Sequence, residues 1–333
     1  MLGDLKLSKL EDKIVVIYGA TASGKSEFAF NLACQLSKEI KRQSHIINAD
    51  SMQVYYELPI ITAQPSKEQM AREQHKLYGF ISCFSEKIEI NRRNQLFANE
   101  LLFENAKDSG YQGYTDKFSV GQWLNLVQKE IDSCIQNNVI PLVVGGTGMY
   151  ISALYNGLAS IPSIDPEVVE RLYNLLDHGL NIEDLYNMLQ EYDAITAAKI
   201  KPRDTQRIIR AIAVYQQTGK PLSYWHSNQQ PSLYPQSKFY KIFINQDRTK
   251  LYKRINSRFN FMLQNGVIDE VSKVIETGLP DVKAIGIQEI ASYLEGNIDY
   301  NTMVENSTRL TRNYAKRQLT WFRNKFVPDL IIE

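Results

Sequence analysis

Gly19, Ala20, Thr21, Ala22, Ser23, Gly24, Lys25 and Ser26 form a run of the pattern GxxxxGKS directly after the apolar stretch Ile14-Val15-Val16-Ile17. A lysine held between glycine and serine, after a strand and before a helix, is the make-up of a phosphate cradle. The glycines let the backbone curl so that successive amide N–H groups converge on one anion. Lys25 reaches the outer phosphates as a point charge. Ser26, at the start of the following helix, is placed to hold Mg²⁺ and leaves the positive end of that helix facing the phosphates. A tight Gly/Ser turn would explain the glycines but not the lysine. The loop predicts a bound di- or triphosphate. It leaves open whether that compound is an energy source, a phosphoryl donor or something else.

Asp50 ends a second apolar run, His45-Ile46-Ile47-Asn48-Ala49, and heads Asp50-Ser51-Met52-Gln53. Open α/β sheets bind ligands at the carboxyl ends of their strands, so a carboxylate there is placed to bind Mg²⁺ or to take a proton from a nucleophile. A turn or helix cap is the plainer reading of Asp-Ser. A third run, Val139 to Val144, stops at Gly145-Gly146-Thr147-Gly148-Met149-Tyr150. In NTP-hydrolysing engines the corresponding strand often ends in an acid that handles Mg²⁺ or water. Its absence favours group transfer.

Basic residues gather in two tracts. Arg203, Arg207 and Arg210 share a helical face, and Arg309, Arg312, Lys316 and Arg323 follow helical spacing near the end, joined by Arg317 and Lys325. No acid occurs from Ser307 to Lys325, and Trp321 and Phe322 lie among the cations. Either tract alone reads equally as a solvated helix face. Together, in a chain of net charge +1, they suggest a polyanion groove with aromatics able to stack on bases. Arg254 and Arg258, four apart on one helix, are expected to reach phosphates from across the cleft.

The elements that must position these residues follow from periodicity. Strands are expected at Ile14–Ile17, His45–Ala49, Val139–Val144 and Lys238–Ile244, with helices at Lys25–Glu39 and Ser119–Gln136. Continuous apolar strands alternating with helices predict an α/β fold, a parallel sheet covered on both faces. Between the third and fourth strands the chain reads helical from Asp165 to Tyr224, which suggests an inserted lobe. The expected division is a core of residues 1–160 and 237–333 and a helical lobe of residues 161–236. The stretch from Ser82 to Asp116 is polar, with helical spacing near Gln95 to Ala106, and reads as a surface insertion. The 333 residues are 44% hydrophobic and 23% charged, within the globular range. Cys34, Cys83 and Cys134 are widely spaced, which excludes a disulfide framework or a thiolate zinc site. No leader or membrane span is recognisable, so a cytoplasmic protein is expected.

In these segments the chain resembles the tRNA dimethylallyltransferases, also called tRNA isopentenyltransferases, of the bacterial type. The resemblance runs nearly end to end. It covers the phosphate loop, Asn48-Ala49-Asp50-Ser51-Met52-Gln53-Val54-Tyr55, Val144 to Tyr150 and Asp204 to Arg210. It continues through Ala284-Ile285-Gly286-Ile287-Gln288-Glu289 and Thr311-Arg312-Asn313-Tyr314-Ala315-Lys316-Arg317-Gln318-Leu319-Thr320-Trp321-Phe322-Arg323. It implies a P-loop NTPase-like core, a tRNA-binding helical lobe and a monomer. The implied reaction is transfer of a dimethylallyl group from dimethylallyl diphosphate to the N6 amine of the adenosine 3′-adjacent to the anticodon, position 37. The loop Gly19 to Ser26 would then hold a leaving group rather than ATP. Asp50 would be the general base. Thr21 and Arg258 would contact the diphosphate, with Lys25 and a Mg²⁺ at Ser26 neutralising its charge. Asp50, Ser51, Met52, Gln53, Thr147, Gln206, Arg207, Ile208, Ile209, Arg210, Lys283, Gly286, Gln288, Arg312, Lys316 and Arg317 would engage tRNA.

The chain departs from the family pattern at several points. The link between His75-Lys76-Leu77 and Phe118-Ser119-Val120-Gly121-Gln122-Trp123 is expanded by the Ser82-to-Asp116 stretch. Val169 stands where an arginine is frequent, and Gln288 where a cation is usual. No Cys/His pair of a zinc finger precedes Glu333. Two other readings remain: a transferase acting on free adenine nucleotides, against which the basic helices speak, and a non-catalytic, nucleotide-gated RNA-binding module, against which Asp50 speaks.

Overall fold

The computed structural model describes residues 5–84, 118–278 and 284–333. The chain begins with β1 (Ile14–Gly19), α1 (Lys25–Ile40), β2 (Ser44–Asn48), α2 (Lys67–Arg72) and β3 (Gln74–Lys76). It continues through α3 (Val120–Gln136), β4 (Ile140–Gly145) and α4 (Gly148–Asn156). Five helices follow: α5 (Pro166–Asp177), α6 (Ile182–Tyr192), α7 (Ala194–Ala197), α8 (Thr205–Thr218) and α9 (Leu222–Ser227). The chain then returns to the sheet as β5 (Phe239–Ile244), runs through α10 (Arg248–Gln264), α11 (Val267–Thr277), α12 (Ile287–Leu294) and α13 (Tyr300–Lys325), and ends in β6 (Leu330–Ile332).

The strands form one parallel sheet in the order β3-β2-β4-β1-β5-β6. Every residue of β1 and β4 is buried, as expected of strands covered on both faces. Alternation along β1 divides its side chains between two cores. Val15 and Ile17 pack with Phe28, Leu32 and Leu36 of α1. Ile14, Val16 and Tyr18 pack with Trp123, Val127 and Ile131 of α3 and with Leu319 and Phe322 of α13. The strand order sets the ends of β1, β4 and β2 in a row, so the phosphate loop, the Gly-Gly-Thr-Gly turn and Asp50 open on one edge.

Two strands were not anticipated from periodicity. β3 is three largely polar residues at the sheet edge, and β6 is the last short apolar run. β6 is tied down by Asp329, whose carboxylate accepts the Lys241 backbone N–H at 2.7 Å.

The structure divides into two compact units, residues 1–155 with 234–333, and residues 156–233. The second is helical and has its own core, in which Leu172, Leu185, Leu189, Ile208, Ile209 and Ile212 are buried. Asp204 caps α8 through the Arg207 N–H, and Gly219 ends it at φ +66°, the left-handed position glycine favours. Among the described residues no helix is long and apolar enough to cross a membrane. The predicted helix near Gln95 to Ala106 lies outside the described residues.

Candidate functional site

β1 delivers the phosphate loop and α1 begins at its lysine. The Lys25 side chain is only 9% exposed, and its Nζ donates to the Ala20 carbonyl at 3.3 Å, so the ammonium folds back over the loop. Burial lowers its pKa to about 8, with Arg258 adding repulsion and Asp50 opposing both. Ser26 is exposed in the first turn of α1.

Asp50 follows β2, and the turn that carries it is set by Asn48. The buried Asn48 side chain accepts the Asp50 N–H at 2.8 Å and donates to the carbonyls of Asp50 and Leu77 at 3.0 and 2.9 Å. The Asn48 carbonyl accepts the Trp123 indole N–H at 2.9 Å. Trp123 is in turn stacked on Tyr150 with ring centroids 4.3 Å apart. This explains Phe118 to Trp123: Ser119 and Gln122 form the capping box that starts α3, one turn from the indole. One Asp50 oxygen accepts the Met52 N–H at 3.1 Å. The Thr147 hydroxyl accepts the Ser51 N–H at 2.9 Å, joining the β2 and β4 turns.

The glycines after β4 permit this closeness. A Cβ at Gly145 would fall 2.0 Å from the Ala49 carbonyl oxygen, and one at Gly148 would fall 2.4 Å from the Trp321 ring. Neither position accepts a side chain without moving its neighbour.

α10, capped by Asp247 through the Thr249 and Lys250 N–H groups, brings two arginines to the loop. Arg258 Nη2 donates to Thr21 Oγ1 at 2.8 Å. Burial lowers the Arg258 pKa, and Asp50 opposes that fall. Arg254 pairs with Glu27 at 3.3 Å on an exposed surface, where such a pair contributes little to stability.

Thr21, Asp50 and Arg258 line both of two adjoining cavities. One, of about 580 Å³, contains Lys25, Ser26, Gln53 and Arg254. The other, of about 380 Å³, is walled by Met52, Ile61, Phe259, Met262 and Tyr314 among others. The first is a cationic compartment at the phosphate loop, and the second is a chamber of mixed lining, in which Asp50, Arg258 and Arg317 share the wall with apolar side chains. A shallower groove of about 210 Å³ shares Tyr314 and Arg317 with the chamber and contains Thr147, Met149 and Trp321. The oxygen donors Ser26 and Asp50 face the phosphate compartment and suit a hard cation. Among the described residues no three His, Cys, Asp or Glu side chains form a metal cage. A cation here would draw its remaining ligands from phosphate and water.

The sequence-predicted RNA contacts are placed unevenly. Ser51, Met52, Gln53, Thr147 and Arg317 line these cavities. The Gln53 carboxamide is engaged, donating to the carbonyls of Thr62 and Ala63 at 3.0 and 2.7 Å. Arg312 donates to Asn256 at 3.1 Å, and Lys316 is exposed. Gly286 has φ +106° and leaves room for Ile61, while Gln288 is exposed. Gln206, Arg207 and Arg210 are exposed on the helical unit, with Arg207 paired to Asp204 at 3.0 Å. Ile208 and Ile209 need correction as contact side chains: they are 0% and 1% exposed, because α8 turns this face into the core of its own unit. Lys283 lies outside the described residues.

Several residues that build the site carry no motif of their own. Gln318 Oε1 accepts the Thr21 N–H at 2.8 Å, and its Nε2 donates to the Gly146 carbonyl at 2.7 Å. Glu270 accepts the N–H groups of Ile60 and Ile61 at 2.7 and 2.8 Å and so fixes the chamber wall. The Tyr314 hydroxyl is pushed up in pKa by burial and by Asp50. These are long-range pairings, and the only local signal for Gln318 was a neutral amide within a basic run.

A family model described as IPP transferase matches residues 110–325. A tRNA dimethylallyltransferase of Wolbachia pipientis is 38% identical over 97% of this chain and 96% of its own length. One of Bartonella tribocorum is 39% identical, covering 96% of this chain and 98% of the relative. The crystal structure of the full-length tRNA isopentenylpyrophosphate transferase of Bacillus halodurans superposes with a TM-score of 0.58 at 28% identity, over 96% of this chain and 89% of that one. The phosphate loop, the carboxylate facing it and similarity over nearly the whole length agree, and the chain belongs to the tRNA dimethylallyltransferase, or IPP transferase, family.

Proposed function

We propose that this protein transfers a dimethylallyl group from dimethylallyl diphosphate to the exocyclic N6 amine of the adenosine 3′-adjacent to the anticodon of tRNA, position 37, releasing diphosphate. The observation that carries this reading is the sharing of Thr21, Asp50 and Arg258 by a cationic compartment at the phosphate loop and a partly apolar chamber. A leaving group and an acceptor base would meet across those residues.

An adenine amine is a weak nucleophile, so the barrier must fall through alignment, leaving-group stabilisation and a proton acceptor. The adenine nitrogen attacks the allylic carbon, the carbon–oxygen bond breaks, and its electron pair leaves with the diphosphate. Lys25, Arg258 and the loop amides stabilise the charge that develops there, and Thr21, bonded to Arg258, positions the guanidinium. Asp50 accepts the proton from the nitrogen. A Mg²⁺ held by Ser26 would add positive charge to the departing oxygens. The apolar part of the chamber wall, with Ile61, Phe259 and Met262, would limit the water that competes for the allylic carbon. The acceptor must leave its stack to enter, which suits a single-stranded anticodon loop. Exposed cations on α13 and α8 would hold the surrounding phosphates. A reaction on tRNA would take place in the cytoplasm.

The test combines purified protein, unmodified tRNA, labelled dimethylallyl diphosphate and Mg²⁺. Label on the tRNA adenosine is the expected result. Transfer to AMP and not to tRNA would assign the chain to free adenine nucleotides, and no transfer to either would reject a prenyl transferase.

A further inference from the structure

We propose that Gln318 is a positioning residue that links RNA bound on α13 to the grip of the phosphate loop. The inference rests on the function proposed above and deepens it. Gln318 is 6% exposed, and both ends of its carboxamide are bonded, Oε1 to the Thr21 N–H at 2.8 Å and Nε2 to the Gly146 carbonyl at 2.7 Å. A buried amide bonded at both ends favours one geometry over its alternatives, because breaking either bond leaves a polar group unsatisfied.

The partners matter more than the count. Thr21 lies inside the phosphate loop, where backbone N–H groups ordinarily face the anion. Here that N–H is taken by a side chain from α13. Its peptide plane is thereby fixed, and with it the hydroxyl that accepts from Arg258 at 2.8 Å. Gly146 lies in the β4 turn, whose next residue Thr147 holds the Ser51 N–H beside Asp50. One carboxamide therefore ties the diphosphate loop, the turn next to Asp50 and α13.

The same side chain lines the outer groove with Thr147, Gly148, Arg317 and Trp321. Its sequence neighbours Lys316 and Arg317 are exposed. An RNA phosphate neutralised by those cations loads the helix one residue from the amide. Seating of the RNA thus holds Gln318 in place, and Gln318 holds Thr21. Linkage is reciprocal, so RNA tightens the diphosphate site and diphosphate tightens RNA by the same factor.

The experiment measures that factor. Inorganic pyrophosphate with Mg²⁺ is titrated onto the full-length protein with and without saturating anticodon stem-loop RNA. In the wild type RNA is expected to tighten pyrophosphate by about fivefold or more, the lower end of ordinary coupling. In Gln318→Met, close in length and without hydrogen-bonding ends, the factor falls to within about twofold of unity, while RNA affinity measured alone stays within about threefold. Gln318→Glu supplies a second arm. Its protonated carboxyl offers an acceptor to Thr21 and a donor to Gly146, so the factor returns toward the wild-type value measured at the same low pH and is lost as the group ionises. Equal factors in the wild type and Gln318→Met, or a wild-type factor of unity, overturn the inference. A wild type that binds pyrophosphate but no RNA rejects the proposed function, and this inference with it.

Discussion

Arg258 Nη2 donates to Thr21 Oγ1 at 2.8 Å, joining α10 to the phosphate loop across 237 positions of sequence. The guanidinium is thus aimed before any ligand arrives, and a lysine cannot reproduce its planar fork. Arg258→Lys should lower kcat by about 10²-fold or more with little change in RNA affinity, as expected for a group that acts on the leaving charge. Thr21→Ala should cost less alone, and adding it to Arg258→Lys should cost little more, because the two residues act as a unit. Single-turnover transfer rates for the two single variants and the double variant check both statements.

Lys25 supplies a pH dependence with two opposite signs. Its pKa of about 8 lies below the ordinary lysine value, so between these limits the folded protein holds fewer protons than the unfolded chain. Stability of the empty protein should therefore gain a contribution as pH rises from about 8 toward about 10.4. Diphosphate binding favours the ammonium, so affinity should fall over the same window, by up to about tenfold per pH unit. Pyrophosphate titrations from about pH 7 to 9.5, read as the ratio of wild type to Lys25→Arg, isolate this step, because arginine stays charged throughout.

Glu270 makes a structural prediction. Its two oxygens accept the Ile60 and Ile61 N–H groups at 2.7 and 2.8 Å. Hydrogen bonds to a charged group contribute about 1.5–3 kcal/mol each, and of the donors left behind Ile60 N–H is partly buried and Ile61 N–H buried. Glu270→Ala should destabilise the protein by about 2–4 kcal/mol, and the Ile60 and Ile61 amides should exchange hydrogen faster than the sheet amides. Denaturant unfolding and hydrogen exchange measure the two effects.

The basic face of α13 predicts a salt effect. Replacing Arg312 and Lys316 with glutamine should weaken RNA binding and flatten the slope of log K against log salt by about 1–2. The Asn256 bond to Arg312 makes Lys316 the freer of the two, so Lys316→Gln alone should account for more than half of the change. An unchanged slope would reduce this face to a solvated surface.

The sequence disclosed most clearly what is local. The glycine-lysine loop, the apolar strands and the capped helices each carry their signal within a dozen residues, and α3, at Val120–Gln136, falls where its periodicity puts it. β3 and β6, of three residues each, are too short for a periodic signal, and they become strands only because a neighbour supplies the ladder. Glu270 and Gln318 are silent for a related reason. Their roles come from partners far along the chain, and an amide or a carboxylate within a helix looks ordinary until its partner is known. Ile208 and Ile209 show the reverse error: a stretch that reads as one RNA-facing segment is split by the helical period into an exposed face with Arg207 and a buried face.

In the proposed reaction Asp50 takes the proton from an adenine amine as diphosphate leaves. Asp50→Asn keeps an oxygen able to accept the Met52 N–H, observed at 3.1 Å, but cannot accept the proton. The most direct measurement is single-turnover transfer of labelled dimethylallyl to an anticodon stem-loop, wild type against Asp50→Asn, with RNA affinity measured in parallel. Loss of the general base should slow transfer by about 10²- to 10⁴-fold with RNA affinity nearly unchanged. Transfer by Asp50→Asn at the wild-type rate would contradict that role.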